Sequence, residues 1–238
     1  MKKIMLLLAF FSFLQSCESD SKKKATDASG SPSETTEGSH VGSIVAPAAL
    51  TVGQIPAEIQ FEGKIKNAVR WTDDSGDNII TTAETGVYES SKFEHESNGS
   101  DAELFAYHFI KTDGTFKQSW KVYDFINDCP VDIIAEFING TFQLTDLDRD
   151  GIAEIWLMYK TACHGDVSPS DVKIIMYEGR QKFAIRGEEK VMHGIDDDGN
   201  KMYMGGEYTA DKAFLNGPAV FLEFAERLWK ENTSGTSK

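Results

Sequence analysis

The chain has 238 residues, of which 38 are acidic and 24 are basic, and its formal net charge is −14. A 40% apolar share with 26% charged residues is that of a folded globular protein, which excludes wholesale disorder. The negative charge argues against a nucleic-acid partner, because phosphates demand a basic face. Three cysteines without paired C-x-x-C motifs exclude a disulfide scaffold and a structural zinc site of that type.

Residues 1–16 have the pattern of a lipoprotein signal peptide. Lys2 and Lys3 precede an apolar run over residues 4–14, which is shorter than the about 20 residues of a membrane-spanning helix. The run ends in Leu14-Gln15-Ser16-Cys17, which resembles the lipobox of bacterial lipoproteins. The resemblance implies that the Cys17 thiol is joined to diacylglycerol, that the chain is cleaved before Cys17 and that the new amine is acylated, for instance with palmitate. Two or more lipid chains give stable anchoring. The alternative is an ordinary signal peptide with a chance cysteine.

Residues 17–56 are predicted to carry the lipidated Cys17 and a flexible tether. From Glu18 to His40 alanine is the only apolar residue type, so this stretch cannot offset its ordering entropy. Apolar residues return after His40, but Pro47 and Pro56 interrupt any regular element. The acids directly after Cys17 resemble a surface-export signal of Bacteroidota lipoproteins. We therefore expect an outer-membrane lipoprotein of the cell envelope that faces either the periplasm or the exterior.

Residues 57–231 are predicted to form a single β-rich globular domain, and residues 232–238 a disordered tail. Turn signals at 73–77, at 112–115 and at Asn139-Gly140 separate runs of apolar residues with strand-like patterning. The expected fold class is α+β, mainly antiparallel β-hairpins in a meander, with an amphipathic C-terminal helix. Asn216-Gly217-Pro218 predicts the start of that helix. Its apolar stripe consists of Phe221, Phe224, Ala225, Leu228 and Trp229.

The acidic segment 146–154 has the spacing of an ion-binding loop. Carboxylates at positions 1, 3, 5 and 9 can direct oxygen atoms at a hard cation, and Gly151 at position 6 allows the tight turn. The predicted calcium ligands are Asp146, Asp148, Asp150, the carbonyl group of Ile152, and Glu154. The segment is not an EF-hand, because position 12 is Leu157 and strand-like sequences flank it.

An Asp-x-Asp-x-Asp-Gly loop between strands resembles the calcium loops of FG-GAP repeats. A propeller needs several such repeats, and this sequence has one good copy, so the resemblance concerns the loop alone. The alternative is an acidic hairpin loop without an ion. A second acidic cluster, Asp196-Asp197-Asp198, lacks the alternating spacing and is predicted to be a solvated turn.

Cys129 and Cys163 remain after lipidation of Cys17, and export favours their pairing. If 131–138, 141–145 and 153–159 formed a simple meander, the two cysteines would lie about 25 Å apart at opposite ends. That separation exceeds disulfide reach. The sequence therefore leaves open a disulfide, with the first strand paired elsewhere, or two free thiols.

The sequence does not identify catalytic residues. Cys163-His164 are neighbours, and neighbouring residues rarely reach each other in nucleophile–base geometry. The histidines lack the His-x-x-x-His spacing of zinc hydrolases. A hydrolase acting on glycans through two carboxylates stays open as an alternative, because its acids can lie anywhere in the sequence.

A wider likeness covers residues 57–232. The segments that carry it include, in this order, Trp71-Thr72-Asp73, Thr145-Asp146-Leu147-Asp148, Ile152-Ala153-Glu154, Gly165-Asp166-Val167-Ser168-Pro169, and the segments 173–178 and 183–187. Together they resemble a group of uncharacterised Bacteroidota lipoproteins associated with surface polysaccharide biosynthesis. The resemblance implies an envelope location and an indirect connection to polysaccharide. The leading hypothesis is a non-catalytic, lipid-anchored envelope protein that serves the assembly or binding of surface polysaccharide. The expected partners are the membrane, through the lipid, and surface polysaccharide or envelope assembly proteins.

Overall fold

A computed structural model describes residues 45–233 of the chain. Cys17, the predicted signal peptide and the greater part of the predicted tether and tail lie outside these residues. The strands are β1 (Val45–Ala49), β2 (Lys64–Asp73), β3 (Gly76–Glu84), β4 (Ser100–Thr112), β5 (Thr115–Cys129), β6 (Ile133–Phe137), β7 (Gln143–Thr145), β8 (Glu154–Cys163), β9 (Asp171–Glu178), β10 (Gln181–Glu188), β11 (Val191–Ile195), β12 (Lys201–Met204) and β13 (Tyr208–Ala210). The helices are a 3-10 turn (Val52–Gln54), α1 (Lys212–Asn216) and α2 (Ala219–Thr233).

The first sheet is an antiparallel meander in the order β1-β2-β3-β4-β5. Its hairpins form where the turn signals predict them. The β4–β5 turn has Asp113 and Gly114 at φ 53° and 82°, the left-handed region that an Asp-Gly pair adopts in a type I′ turn. The predicted fold class, mainly antiparallel β with a C-terminal helix in one domain, is confirmed.

Strand β1 lies within the segment predicted to be tether. It pairs with β2 although it contains Pro47, which lacks a backbone N–H. The pairing register shifts between Val45 and Ala48, and β1 is the edge strand of its sheet. An edge with a bulge is the place where a sheet tolerates proline, so the expectation that Pro47 would prevent a regular element is wrong.

The second sheet has the order β13-β10-β9-β8-β6, and β7 also pairs with β8. Strands β6 and β7 were expected to form a hairpin at Asn139-Gly140, and this prediction is wrong. Both strands pair with β8, where Phe137 lies opposite Tyr159 and Gln143 opposite Trp156. The two strands therefore follow each other along one edge of β8, which is ten residues long and has room for both.

This arrangement brings Cys129 and Cys163 together. Ile133 lies opposite Cys163, so the chain enters β6 beside the end of β8. The two cysteines form a disulfide with a Cα–Cα distance of 5.8 Å. The expected distance of about 25 Å assumes that β6, β7 and β8 form a meander, whereas β6 and β7 both pair with β8. The bond closes a loop with a sequence separation of 34 residues, for which chain entropy gives about 3–4 kcal/mol of stabilisation.

The two sheets pack face to face around one core, and each outer face is covered. Trp71, Leu104 and Val122 of the first sheet meet Leu157 and Ile175 of the second. The other face of the second sheet packs against α1 and α2, and all five residues of the predicted helical stripe are buried. The predicted helix start is shifted, because Asn216 ends α1 and α2 begins at Ala219. Residues 50–61 cover the outer face of the first sheet.

A buried histidine connects the inter-sheet core to the β2–β3 turn. The His108 side chain is 2% exposed and lies between two tryptophan rings. It stacks on Trp71, with ring centroids 5.6 Å apart, and is tilted relative to Trp120, with ring centroids 5.0 Å apart. Its Nε2 lies 3.1 Å from Asn78 Oδ1, and Asn78 Nδ2 donates to Asp73 Oδ1 at 2.9 Å. Since Asn78 Oδ1 can only accept, we assign the proton of neutral His108 to Nε2. Burial lowers the pKa of His108 to about 4.

We predict that His108 makes the protein less stable in acid. Between pH 6.5 and 4 the unfolded histidine binds a proton that the folded one does not, so the free energy of unfolding falls as the pH falls through this window. His108→Gln retains a donor toward Asn78 but cannot gain a proton. Urea unfolding at pH 8 and at pH 4 measures the free energy of unfolding of both proteins. Between these two pH values the wild type should lose about 2–3 kcal/mol more than the variant. Parallel pH profiles would contradict the prediction.

Candidate metal site

The acidic loop connects β7 to β8 at one end of the second sheet. Thr145 lies opposite Glu154, so the two strands close the base of the loop. Arg149 and Gly151 have φ angles of 64° and 86°, and these two left-handed residues turn the chain back on itself. Gly151, the position predicted from the sequence, therefore has a φ angle that favours glycine, and Arg149 adopts the same region at a smaller angle.

The loop backbone is held by its own carboxylates. Glu154 is 0% exposed and accepts hydrogen bonds from Thr145 Oγ1 at 2.6 Å and from the Leu147 N–H at 2.8 Å. Asp148 Oδ1 accepts from the Asp150 N–H at 3.3 Å, and Asp150 Oδ1 from the Ile152 N–H at 2.8 Å. These bonds occupy some of the lone pairs, and each carboxylate keeps further acceptor capacity.

The structure brings the predicted acids together in two overlapping groups. Asp146, Asp148 and Glu154 each offer a carboxylate oxygen, and these oxygens lie within 4.8 Å of one another. Asp148 and Asp150 form a second such group with Glu178. Asp148 belongs to both, so it is the centre of the site. Either group could hold a metal ion. Ile152 as a carbonyl ligand stays a prediction.

Glu178 is the residue that the sequence reasoning missed. It is the last residue of β9 and lies directly opposite Glu154 in the β8–β9 pairing. Two carboxylates opposite each other on neighbouring strands repel each other. Local spacing could not identify Glu178, because it lies 24 positions after Glu154 in the sequence and comes near only through the register of two strands.

The electrostatics of the site are those of acids crowded together without enough positive charge. Burial, and then the charges of Asp148, Asp150 and Glu154, raise the pKa of Glu178 to about 7. Burial and the charge of Asp150 raise the pKa of Asp148. Burial also raises the pKa of Glu154, against the opposing effect of its hydrogen bonds. A cation among these acids would remove the repulsion that raises their pKa values.

Two oxygen atoms of the site are buried and unpartnered. Asp146 Oδ1 and Glu178 Oε1 have no hydrogen-bond partner among the described residues. Buried polar atoms in folded proteins are nearly always paired with protein, water or an ion, because an unpaired one costs about 1–3 kcal/mol. The two oxygens belong to different acid groups, so both groups have capacity for a ligand.

The β2–β3 turn of the first sheet contacts the same loop. The Asp74 N–H donates to the Gly151 carbonyl at 2.9 Å, and the Ala153 N–H donates to Asp73 Oδ2 at 3.2 Å. Trp71 Nε1 donates to the same Asp73 oxygen at 2.8 Å. The acidic loop therefore lies where hydrogen bonds join the two sheets. These hydrogen bonds depend on the conformation of the loop.

The other sequence features do not add a second site. Asp196 closes the β11–β12 turn by accepting from the N–H groups of Asp198 and Asn200, at 3.0 and 2.7 Å, in an exposed turn as predicted. Cys163 has no free thiol because it is disulfide-bonded. His164 Nδ1 lies 3.9 Å from Asp166 Oδ1. A glycan hydrolase with a carboxylate pair stays a prediction.

Comparison with protein-family models, with curated proteins and with solved structures finds no match to this chain. The resemblance to Bacteroidota lipoproteins and to FG-GAP loops therefore stays a prediction. Within residues 45–233, the helices are too short or too polar to span a membrane.

We predict that Glu178→Gln stabilises the metal-free protein. At pH 8 with EDTA, the variant should gain about 1 kcal/mol in free energy of unfolding, because it loses the charge opposite Glu154. Glu223→Gln removes the same charge from an exposed position of α2 and should change stability by less than about 0.5 kcal/mol. Urea unfolding measures both. A Glu178→Gln protein no more stable than Glu223→Gln would contradict the account of repulsion.

Proposed function

We propose that this chain is a lipid-anchored protein of the cell envelope, held in the outer membrane by Cys17, with a folded domain that binds calcium at the Asp148 site. Its proposed role is non-catalytic, in the assembly or binding of surface polysaccharide. The observation that carries the proposal is the convergence of acids from the β7–β8 loop and β9, with two buried carboxylate oxygens left unpartnered.

Calcium fits the donor set better than the other common ions. The side-chain donors are carboxylate oxygens of Asp146, Asp148, Asp150, Glu154 and Glu178. Zinc prefers nitrogen and sulfur, and neither group contains histidine or cysteine. Magnesium demands a near-ideal octahedron and keeps several waters, whereas calcium accepts six to eight oxygens in irregular geometry. Two overlapping groups that share Asp148 suit the more adaptable ion.

A structural role follows from where the acids lie. The loop contacts β9 through Glu178 and the β2–β3 turn through Gly151 and Ala153. An ion among the acids would tie the two strand ends together and hold the loop in the conformation that these hydrogen bonds need. Calcium would then be a structural ion that stabilises the contact between the sheets and takes no part in catalysis.

Anchoring is supported by the sequence Leu14-Gln15-Ser16-Cys17 and the low-complexity stretch after it. The disulfide between Cys129 and Cys163 agrees with an oxidising compartment outside the cytoplasm. The acidity of the chain favours solubility and leaves the lipid as the attachment to an anionic membrane surface. The polysaccharide role has the family resemblance as its support.

We predict that calcium stabilises the protein and that this effect needs Asp148. At a calcium concentration 100 times the Kd, the free energy of unfolding rises by about 2.7 kcal/mol, which corresponds to about 5–10 °C in Tm for a domain of this size. Asp148→Asn should remove the shift, because Asp148 belongs to both acid groups. Differential scanning calorimetry with calcium, magnesium and EDTA measures the effect.

The matched control is Asp197→Asn, which removes an acid from the exposed β11–β12 turn. It should leave the calcium shift unchanged. A Tm that does not respond to calcium, or responds equally in the Asp148→Asn protein, would refute the ion site. An equal response to magnesium would refute the choice of calcium.

We predict that Cys17 carries the lipid. Growth with an alkyne-labelled palmitate should label the wild-type chain and leave Cys17→Ser unlabelled, with the variant lost from the membrane fraction. Cys129→Ser with Cys163→Ser is the control for the remaining cysteines and should keep the label. Membrane association of the Cys17→Ser protein equal to that of wild type would contradict lipid anchoring.

A further inference from the structure

A second charged site lies in a cleft between β5 of the first sheet and β8, β9 and β10 of the second. The cleft has a volume of about 410 Å³, within the range of small-ligand sites. Four basic residues border it, although acids outnumber bases in this chain by 38 to 24. The four are Lys121, Lys173, Lys182 and Arg186.

Strand register explains why the cations meet. Arg186 lies directly opposite Lys173 in the β9–β10 pairing, and Lys182 opposite Tyr177. Side chains alternate between the faces of a strand, so Lys173, Lys182 and Arg186 are on the face that packs toward the first sheet. Glu178 is on the other face. The second sheet therefore separates a cluster of acids from a cluster of bases.

The single acid of the cleft is already engaged. Asp124 Oδ2 accepts hydrogen bonds from Lys173 Nζ at 2.5 Å and from the Tyr159 hydroxyl at 3.0 Å. Its Oδ1 accepts from the Phe125 N–H at 3.0 Å. Asp124 therefore compensates Lys173 and fixes its ammonium at the wall of the cleft. The Lys121 ammonium points away from the cleft, because its Nζ lies over the Phe105 ring on the outer face of the first sheet, 3.4 Å from Glu62 Oε1.

Within the described part of the chain, no carboxylate oxygen lies within 4.0 Å of the Lys182 ammonium or the Arg186 guanidinium. Asp211 and Asp124 act on Lys182 from farther away. Burial, and then the positive charge of Arg186, lower the pKa of Lys182. The two side chains project from one strand, four positions apart, toward the Lys173–Asp124 pair. An anion is the ligand that this arrangement lacks.

We propose that the cleft binds a small oxyanion, a carboxylate or phosphate group of a ligand, through Arg186 and Lys182, with Lys173 beside them. Arginine presents a planar fork that matches either group, and lysine adds a point charge. This site is separate from the acidic loop, and its occupation does not depend on calcium or on the lipid.

The test is isothermal titration of the full-length chain with inorganic phosphate, with glucuronate, and with glucose as the neutral control, at low salt. We expect phosphate or glucuronate to bind and glucose not to bind. Tighter binding of phosphate identifies a phosphate site, and tighter binding of glucuronate identifies a carboxylate site. The combined variant Lys182→Gln with Arg186→Gln should weaken binding by about tenfold or more.

Lys212→Gln on α1 is the matched control, since it removes an exposed cation outside the cleft, and it should bind as wild type does. Arg186→Lys should retain part of the affinity that the combined variant loses. The Tm of each variant shows whether it folds. The anion titrations are repeated in buffer with EDTA and in buffer with calcium. Equal anion binding in both buffers shows that this site does not depend on the proposed calcium site. Absence of binding by both anions, equal binding of glucose, or unchanged affinity in the combined variant would overturn the oxyanion site.

Discussion

The registers of β9 with its two neighbours, β8 and β10, are the constraint on which the two charged sites depend. The β8–β9 register places Glu154 opposite Glu178, and the β9–β10 register places Arg186 opposite Lys173. A slip of one residue would move every side chain of β8 to the other face of the sheet. Both faces are buried, with Leu157 toward the first sheet and Trp156 toward the helices, so a slip would disrupt two cores. Apolar packing on two sides therefore holds like charges in positions that they would not take alone.

Asp73 and Glu178 show how the surroundings determine the role of a half-buried acid. Burial favours the neutral form of Asp73, but hydrogen bonds from Ser75, Trp71 and Ala153 outweigh it and lower the pKa of Asp73. Glu178 has an unpartnered oxygen and faces other acids, and its pKa is raised. Asp73 is thus a structural acid that holds the sheets together. Within the described residues, Glu178 has no hydrogen-bond donor for its unpartnered oxygen and no neighbouring positive charge among the groups that shift its pKa, which makes it suited to bind a cation.

The features predictable from the sequence are those encoded within a few residues. The Asp113-Gly114 turn, the apolar stripe of α2 and the spacing of the loop acids each depend on neighbours in the chain. Glu178 and the disulfide depend on which strands pair, which local patterns do not contain. Asn139-Gly140 shows the limit most clearly. The Ile138 N–H donates to Met158, so the chain stays beside β8 through the turn and does not fold back as a hairpin.

The separation of the two charged clusters decides whether they affect each other. Lys182 lies opposite Tyr177, the neighbour of Glu178, but it projects from the opposite face of the sheet. Arg186 lies opposite Lys173, which is five residues, or about 17 Å along an extended strand, from Glu178. The charges that raise the pKa of Glu178 are those of Asp146, Asp148, Asp150 and Glu154, all on its own side of the sheet. A cation in the loop therefore does little to the attraction of an anion for Arg186. The affinity of each site for its ion therefore depends mainly on the residues of that site. The second sheet supports both sites.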